Sequence, residues 1–88
     1  MRRAAVSIAS NIAEGCERRT ERDLVRYLRI AYGSACELET QALIALDARL
    51  ASLDEVRRLT GRTETVRRML SCLITSIEAD TDPRDRGR

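Results

Sequence analysis

Five arginines crowd one short stretch of this chain: Arg18, Arg19, Arg22, Arg26 and Arg29. A guanidinium presents a planar fork of N–H donors that matches phosphate oxygens, so such a cluster is equipment for gripping a nucleic-acid backbone. On a helix, Arg22, Arg26 and Arg29 recur at steps of four and three and share one face. Acids are interleaved with them, namely Glu14, Glu17, Glu21 and Asp23. Glu14–Arg18 and Asp23–Arg26 stand at helical pairing distances, so a solvated face that neutralises itself is the competing reading. Arg57, Arg58, Arg62, Arg67 and Arg68 form a second basic stretch. There Asp54–Arg58 and Glu64–Arg68 have the favourable acid-first i,i+4 order, and ordinary surface pairing explains it better.

A second group is polar rather than basic: Ser7, Asn11 and Glu14 early in the chain, then Ser34, Glu37, Glu39, Thr40 and Gln41. Paired carboxylates serve acid–base or metal chemistry when they converge. Glu37 and Glu39 are two residues apart and point to different sides of a helix. The cluster therefore reads as hydrogen bonding between helices, within or between subunits. The chain contains no His, which removes His-based triads and His-ligated zinc. Its three cysteines, Cys16, Cys36 and Cys72, are odd in number and form no CxxC. They read as reduced thiols that fill buried or half-buried apolar positions. Neither a Gly-rich phosphate loop nor a Gly-x-Ser-x-Gly elbow occurs. The residues thus point to a non-enzymatic protein, with no catalytic residue, metal, cofactor or small-molecule substrate.

The elements that must position these groups follow from pattern. In 88 residues, 43% are hydrophobic and 34% charged, with 4 Gly, 1 Pro and only two aromatic residues, both Tyr. A β fold of this size would need many turns and many aromatic or β-branched residues, so the class is all-α. Ala5, Ile8 and Ile12 mark a first helix over about 2–15, which Gly15 is placed to end by taking the left-handed conformation. Thr20-Glu21-Arg22-Asp23 is a capping-box variant that opens a second helix over about 21–50. Along it, Leu24, Leu28, Ala31, Ala35, Leu38, Ala42 and Ala45 form a coiled-coil-like seam whose alanines let a neighbour come close. Gly33 lies mid-helix, where it costs about 1 kcal/mol relative to Ala; close backbone packing is the expected reason. Ser52-Leu53-Asp54-Glu55 is a full capping box for a third helix over about 53–79. Short connections make the three an up-down antiparallel bundle, a single domain over 1–79. A polar tail over 80–88 is expected to be disordered.

The net charge of +2 is modest for a nucleic-acid module, so binding of that kind would depend on the local arginine patch. All 16 basic residues are Arg, a usage that resembles the codon bias of a GC-rich genome. No apolar run is long enough for a signal peptide or a membrane span, and a cytoplasmic location with no membrane contact is expected.

Two stretches carry a resemblance: RRAAVSIASNIAEG from Arg2 to Gly15, and GSACELETQ from Gly33 to Gln41. With the seam of the long helix, they resemble the four-helix-bundle proteins encoded in intervening sequences of 23S ribosomal RNA genes. That family includes relatives of the accessory protein of diversity-generating retroelements. The resemblance spans about Arg2 to Ile77, and in the third helix it is one of pattern only. It implies a left-handed antiparallel bundle and a homopentameric ring. It also implies RNA or DNA as a partner, since the retroelement relatives bind nucleic acid through a basic surface. It assigns no catalytic residues. This sequence has Ala9 where the family usually has Pro, and Cys16 where it usually has an aromatic residue. The family also carries a helix before the Arg-Arg-Ala-Ala motif, and Met1 stands where that helix would have ended. Either a further helix precedes Met1, or the chain is a three-helix remnant in which an apolar groove stays open, lined by parts of Ile8, Ile12, Leu28 and Leu70. Such a groove tends to recruit a partner or cause aggregation. Two functions remain: an oligomeric scaffold that binds RNA or DNA, and a protein–protein module or truncated remnant with no nucleic-acid role.

Overall fold

A computed structural model describes residues 1–80. They form three helices, α1 (Arg2–Cys16), α2 (Glu21–Asp47) and α3 (Leu53–Asp80). Of the tail expected over 80–88, Asp80 closes α3 and the rest lies outside the described residues.

The start signals act as their residue types require. Thr20 caps α2 with extended backbone, and its Oγ1 accepts the Asp23 N–H at 3.1 Å. At α3 both bonds of the capping box form. The Glu55 N–H donates to Ser52 Oγ at 3.1 Å, and the Ser52 N–H donates to Glu55 Oε1 at 3.0 Å. α1 starts from Met1 with no side-chain cap.

The stop signals differ from expectation in two places. Gly15 does not end α1 by a left-handed turn. It is buried inside the helix, and no described Gly has positive φ. α2 ends at Asp47 rather than near Leu50. Arg49 takes the left-handed conformation at φ 59°. The Leu50 N–H then reaches back to the Ala45 carbonyl at 2.8 Å, and the Arg49 N–H to that of Leu46 at 3.0 Å. This is a Schellman stop built on arginine instead of glycine.

Both α1 and α3 pack on α2 and run antiparallel to it. The seam of α2 is closed: Leu28 is 1% exposed, and Ala31, Ala35 and Ala42 are fully buried. Val25, Leu28 and Ala31 of α2 join Leu70 and Ile74 of α3 in one core, with Ile12 of α1 packed against it. The small alanines let both neighbours approach, as the spacing implied. The expected lining of the open groove is corrected: Leu28 and Leu70 are buried and Ile8 and Ile12 half-buried, while α1 and α3 each pack on α2 and not on each other. The exposed apolar residues are others, among them Leu43, Ile44, Met69 and Leu73. The body is elongated, 51 × 20 × 16 Å, because α2 and α3, of 27 and 28 residues, run side by side for about 40 Å at 1.5 Å per residue.

Candidate nucleic-acid interface

The arginine cluster sits at one corner, where the end of α1 turns into α2, and all five side chains are exposed. They are not equivalent. Arg18 donates from Nη2 to Glu14 Oε2 and from Nε to the Glu14 carbonyl, both at 3.1 Å. Its guanidinium carbon lies 5.3 Å from the centre of the Tyr27 ring, and that of Arg26 lies 4.6 Å from it. One tyrosine thus holds two cations through its π face. Arg26 sits on that ring and not on Asp23, so the Asp23–Arg26 pair expected from spacing does not form.

Tyr27 is itself set by Gly15. A Cβ on Gly15 would stand 3.1 Å from Tyr27 Cβ and 3.1 Å from Leu24 Cδ1. The missing side chain lets the end of α1 lie directly on the first turns of α2, and this contact fixes the ring. Arg29 points toward α3, with Nη2 3.0 Å from both carboxylate oxygens of Glu78. Arg19 and Arg22 have no acidic partner among the described residues. Among the described residues, the corner therefore offers two guanidinium groups without an acidic partner, two braced on a ring, and one held by a single exposed carboxylate.

The polar cluster divides between two interfaces. On the α1 side, the Ser7 and Ser34 hydroxyls are 2.7 Å apart, and Asn11 Nδ2 donates to Ser7 O and Oγ at 2.8 and 3.0 Å. On the α3 side, Glu39 Oε1 accepts from Arg67 Nε at 2.7 Å and from Thr63 Oγ1 at 2.8 Å. Three members stay within α2: Thr40 Oγ1 donates to the Cys36 carbonyl, and Gln41 Nε2 donates to Glu37 Oε1. Glu14 belongs to Arg18, as above. Spacing had placed Arg67 among ordinary surface pairs, but it is half-buried and spans two helices. Its guanidinium also lies 6.0 Å from the Tyr32 ring centre. Of the two expected pairs on α3, Glu64–Arg68 forms at 2.6 Å, while Asp54 and Arg58 stay apart.

Partial burial pushes the Glu39 carboxyl up. The hydrogen bonds from Arg67 and Thr63, with the Arg67 charge, outweigh it and hold Glu39 below the usual carboxylate range. The hydrogen bond to Glu39 raises Arg67 in turn. At the start of α3, the Ser52 backbone N–H and then its hydroxyl lower Glu55. None of these groups is poised near neutrality for proton transfer. Cys16 and Cys72 are exposed and Cys36 is half-buried, so only Cys36 fits the expected packing role. No group of three metal-binding side chains occurs among the described residues. Among the described residues, no helix is long and apolar enough to cross a membrane.

Sequence reasoning missed Tyr27, Thr63 and Arg67 as organising residues. A signal for Tyr27 was present, since Arg26 adjoins it and Gly15 precedes it by about three helical turns folded back. Thr63 and Arg67 lie four apart on one face of α3, but only the α2–α3 register shows that Glu39 lies opposite them.

The model of the 23S rRNA-intervening sequence protein family matches residues 1–72. No curated protein and no solved structure matches the chain. The matched span takes in both motif stretches, the whole arginine corner and most of α3, so the chain belongs to the 23S rRNA-intervening sequence protein family.

Proposed function

We propose that this chain is a non-enzymatic bundle scaffold that works as a homo-oligomer and binds RNA or DNA through Arg18, Arg19, Arg22, Arg26 and Arg29. The observation that carries this reading is the state of those arginines. Arg19 and Arg22 lack acidic partners among the described residues, and Tyr27 braces Arg18 and Arg26. Pre-placed cations lose less side-chain freedom on binding, and each phosphate neutralised releases counterions. A single corner of this size is a weak site, and a ring of copies, such as a homopentamer, multiplies it.

The test is a titration of labelled RNA and DNA at low salt with the wild-type chain and an Arg22→Gln/Arg26→Gln double variant. The proposal expects binding by the wild type and a loss of at least tenfold in the variant, about 1.4 kcal/mol. Absence of binding at low salt by the assembled protein overturns it. The exposure of Met69 at 67% and Leu73 at 47% supports the second reading, a module for protein contacts alone. That reading gains if the chain assembles yet binds no nucleic acid.

A further inference from the structure

Gly33 is unexplained by the packing of this chain. It sits in the middle of α2, where Gly is costly, and a Cβ built on it meets nothing within 4 Å. Close helix packing, the expected reason for it, is therefore absent. The empty space beside it is a groove of about 350 Å³ between α2 and α3. Arg29, Tyr32, Ser71, Thr75 and Glu78 line the groove around Gly33.

Its size and lining restrict the occupant. The volume lies at the low end for small-ligand clefts and suits one flat ring system. Tyr32 contributes an aromatic surface, while Ser71 and Thr75 contribute hydroxyls that both donate and accept, as the edges of an unpaired base require. Arg22, Arg26 and Arg29 lead along the same face of α2 to the groove, over about 16 Å from Arg22 to Gly33 at 1.5 Å per residue. The charge approaching the groove is thus suited to a phosphate backbone. Arg29, tied only to the exposed Glu78 carboxylate, stands where that backbone would pass.

We infer that the groove over Gly33 seats one unpaired base of a single-stranded nucleic acid whose phosphates lie along Arg22, Arg26 and Arg29. This rests on the nucleic-acid reading above and narrows it to single strands. A duplex keeps its bases stacked and cannot offer one to the groove.

The test is Gly33→Leu, which puts a side chain into the groove from a position whose Cβ meets nothing within 4 Å and replaces Gly by a better helix former. Fluorescence anisotropy would measure a labelled 12-nucleotide single strand and a duplex of equal length, with circular dichroism confirming an intact fold. The wild type should prefer the single strand, and Gly33→Leu should weaken that strand alone by about tenfold, the worth of one seated base. Equal single-strand affinity in variant and wild type overturns the inference, as does an equal loss on both probes. Dissociation of the oligomer by Gly33→Leu, seen in sedimentation, also overturns it and makes the groove a subunit contact. Failure of the wild type to bind either probe is a different result, since it rejects the nucleic-acid reading itself.

Discussion

Three residues show how backbone freedom is used differently along one chain. Gly15 is a packing glycine. A methyl group there would stand 3.1 Å from Tyr27 Cβ, so Gly15→Ala should lower stability by about 1 kcal/mol despite its better helix propensity. The same change should weaken the bracing of Arg18 and Arg26. Gly33 is the opposite case. With nothing near its absent side chain, Gly33→Ala should raise stability by about 0.5–1 kcal/mol in a thermal or urea melt. Arg49 does a glycine's job at φ 59°, so Arg49→Gly should raise stability by about 0.5–1 kcal/mol. In sequence the three could not be sorted. Gly15 looked like a helix stop because a glycine before a polar stretch usually is one. The true stop of α2 went unseen because Asp47-Ala48-Arg49-Leu50 contains neither Gly nor Pro.

At the scale of elements, caps and periodicity were legible because they are local. Thr20, Ser52 and Glu55 form the bonds their spacing implied, and Ala31, Ala35 and Ala42 of the α2 seam are buried. Register was not legible, since nothing in a single strip of sequence says which side chains two long helices bring face to face. Glu39 with Thr63 and Arg67 is the outcome of that register and ties α2 to α3. Breaking it with Glu39→Gln should lower the melting temperature at pH 7, because Arg67 would lose its charged partner, with solvent screening keeping the effect modest. Glu39 titrates lower in the folded chain than in the unfolded one. Its contribution is therefore complete above the unfolded value, about 4.3, and is lost as pH falls through the lower folded value. Melting temperatures measured from pH 7 to pH 3 should fall for the wild type over that window, and less steeply for Glu39→Gln. Equal acid slopes in the two proteins would show that the carboxylate is not a stabilising partner of Arg67.

The whole molecule is an elongated three-helix body with five of its arginines at the corner where α1 meets α2. The class, the helix count and the antiparallel order were readable from composition and spacing. The state of the arginines was not, because pairing distance along a helix cannot reveal that a tyrosine takes Arg26 from Asp23. That state leaves Arg19 and Arg22 without acidic partners among the described residues of a nearly neutral sequence. The most direct measurement is the affinity of the assembled protein for single-stranded RNA as a function of salt. If the five corner arginines engage phosphate, log K should fall linearly with log salt, with a slope near −3.5 for about five single-strand contacts. Arg22→Gln/Arg26→Gln should make that slope shallower by about 1.4. Binding that ignores salt, or a double variant with the wild-type slope, would contradict a phosphate-gripping corner.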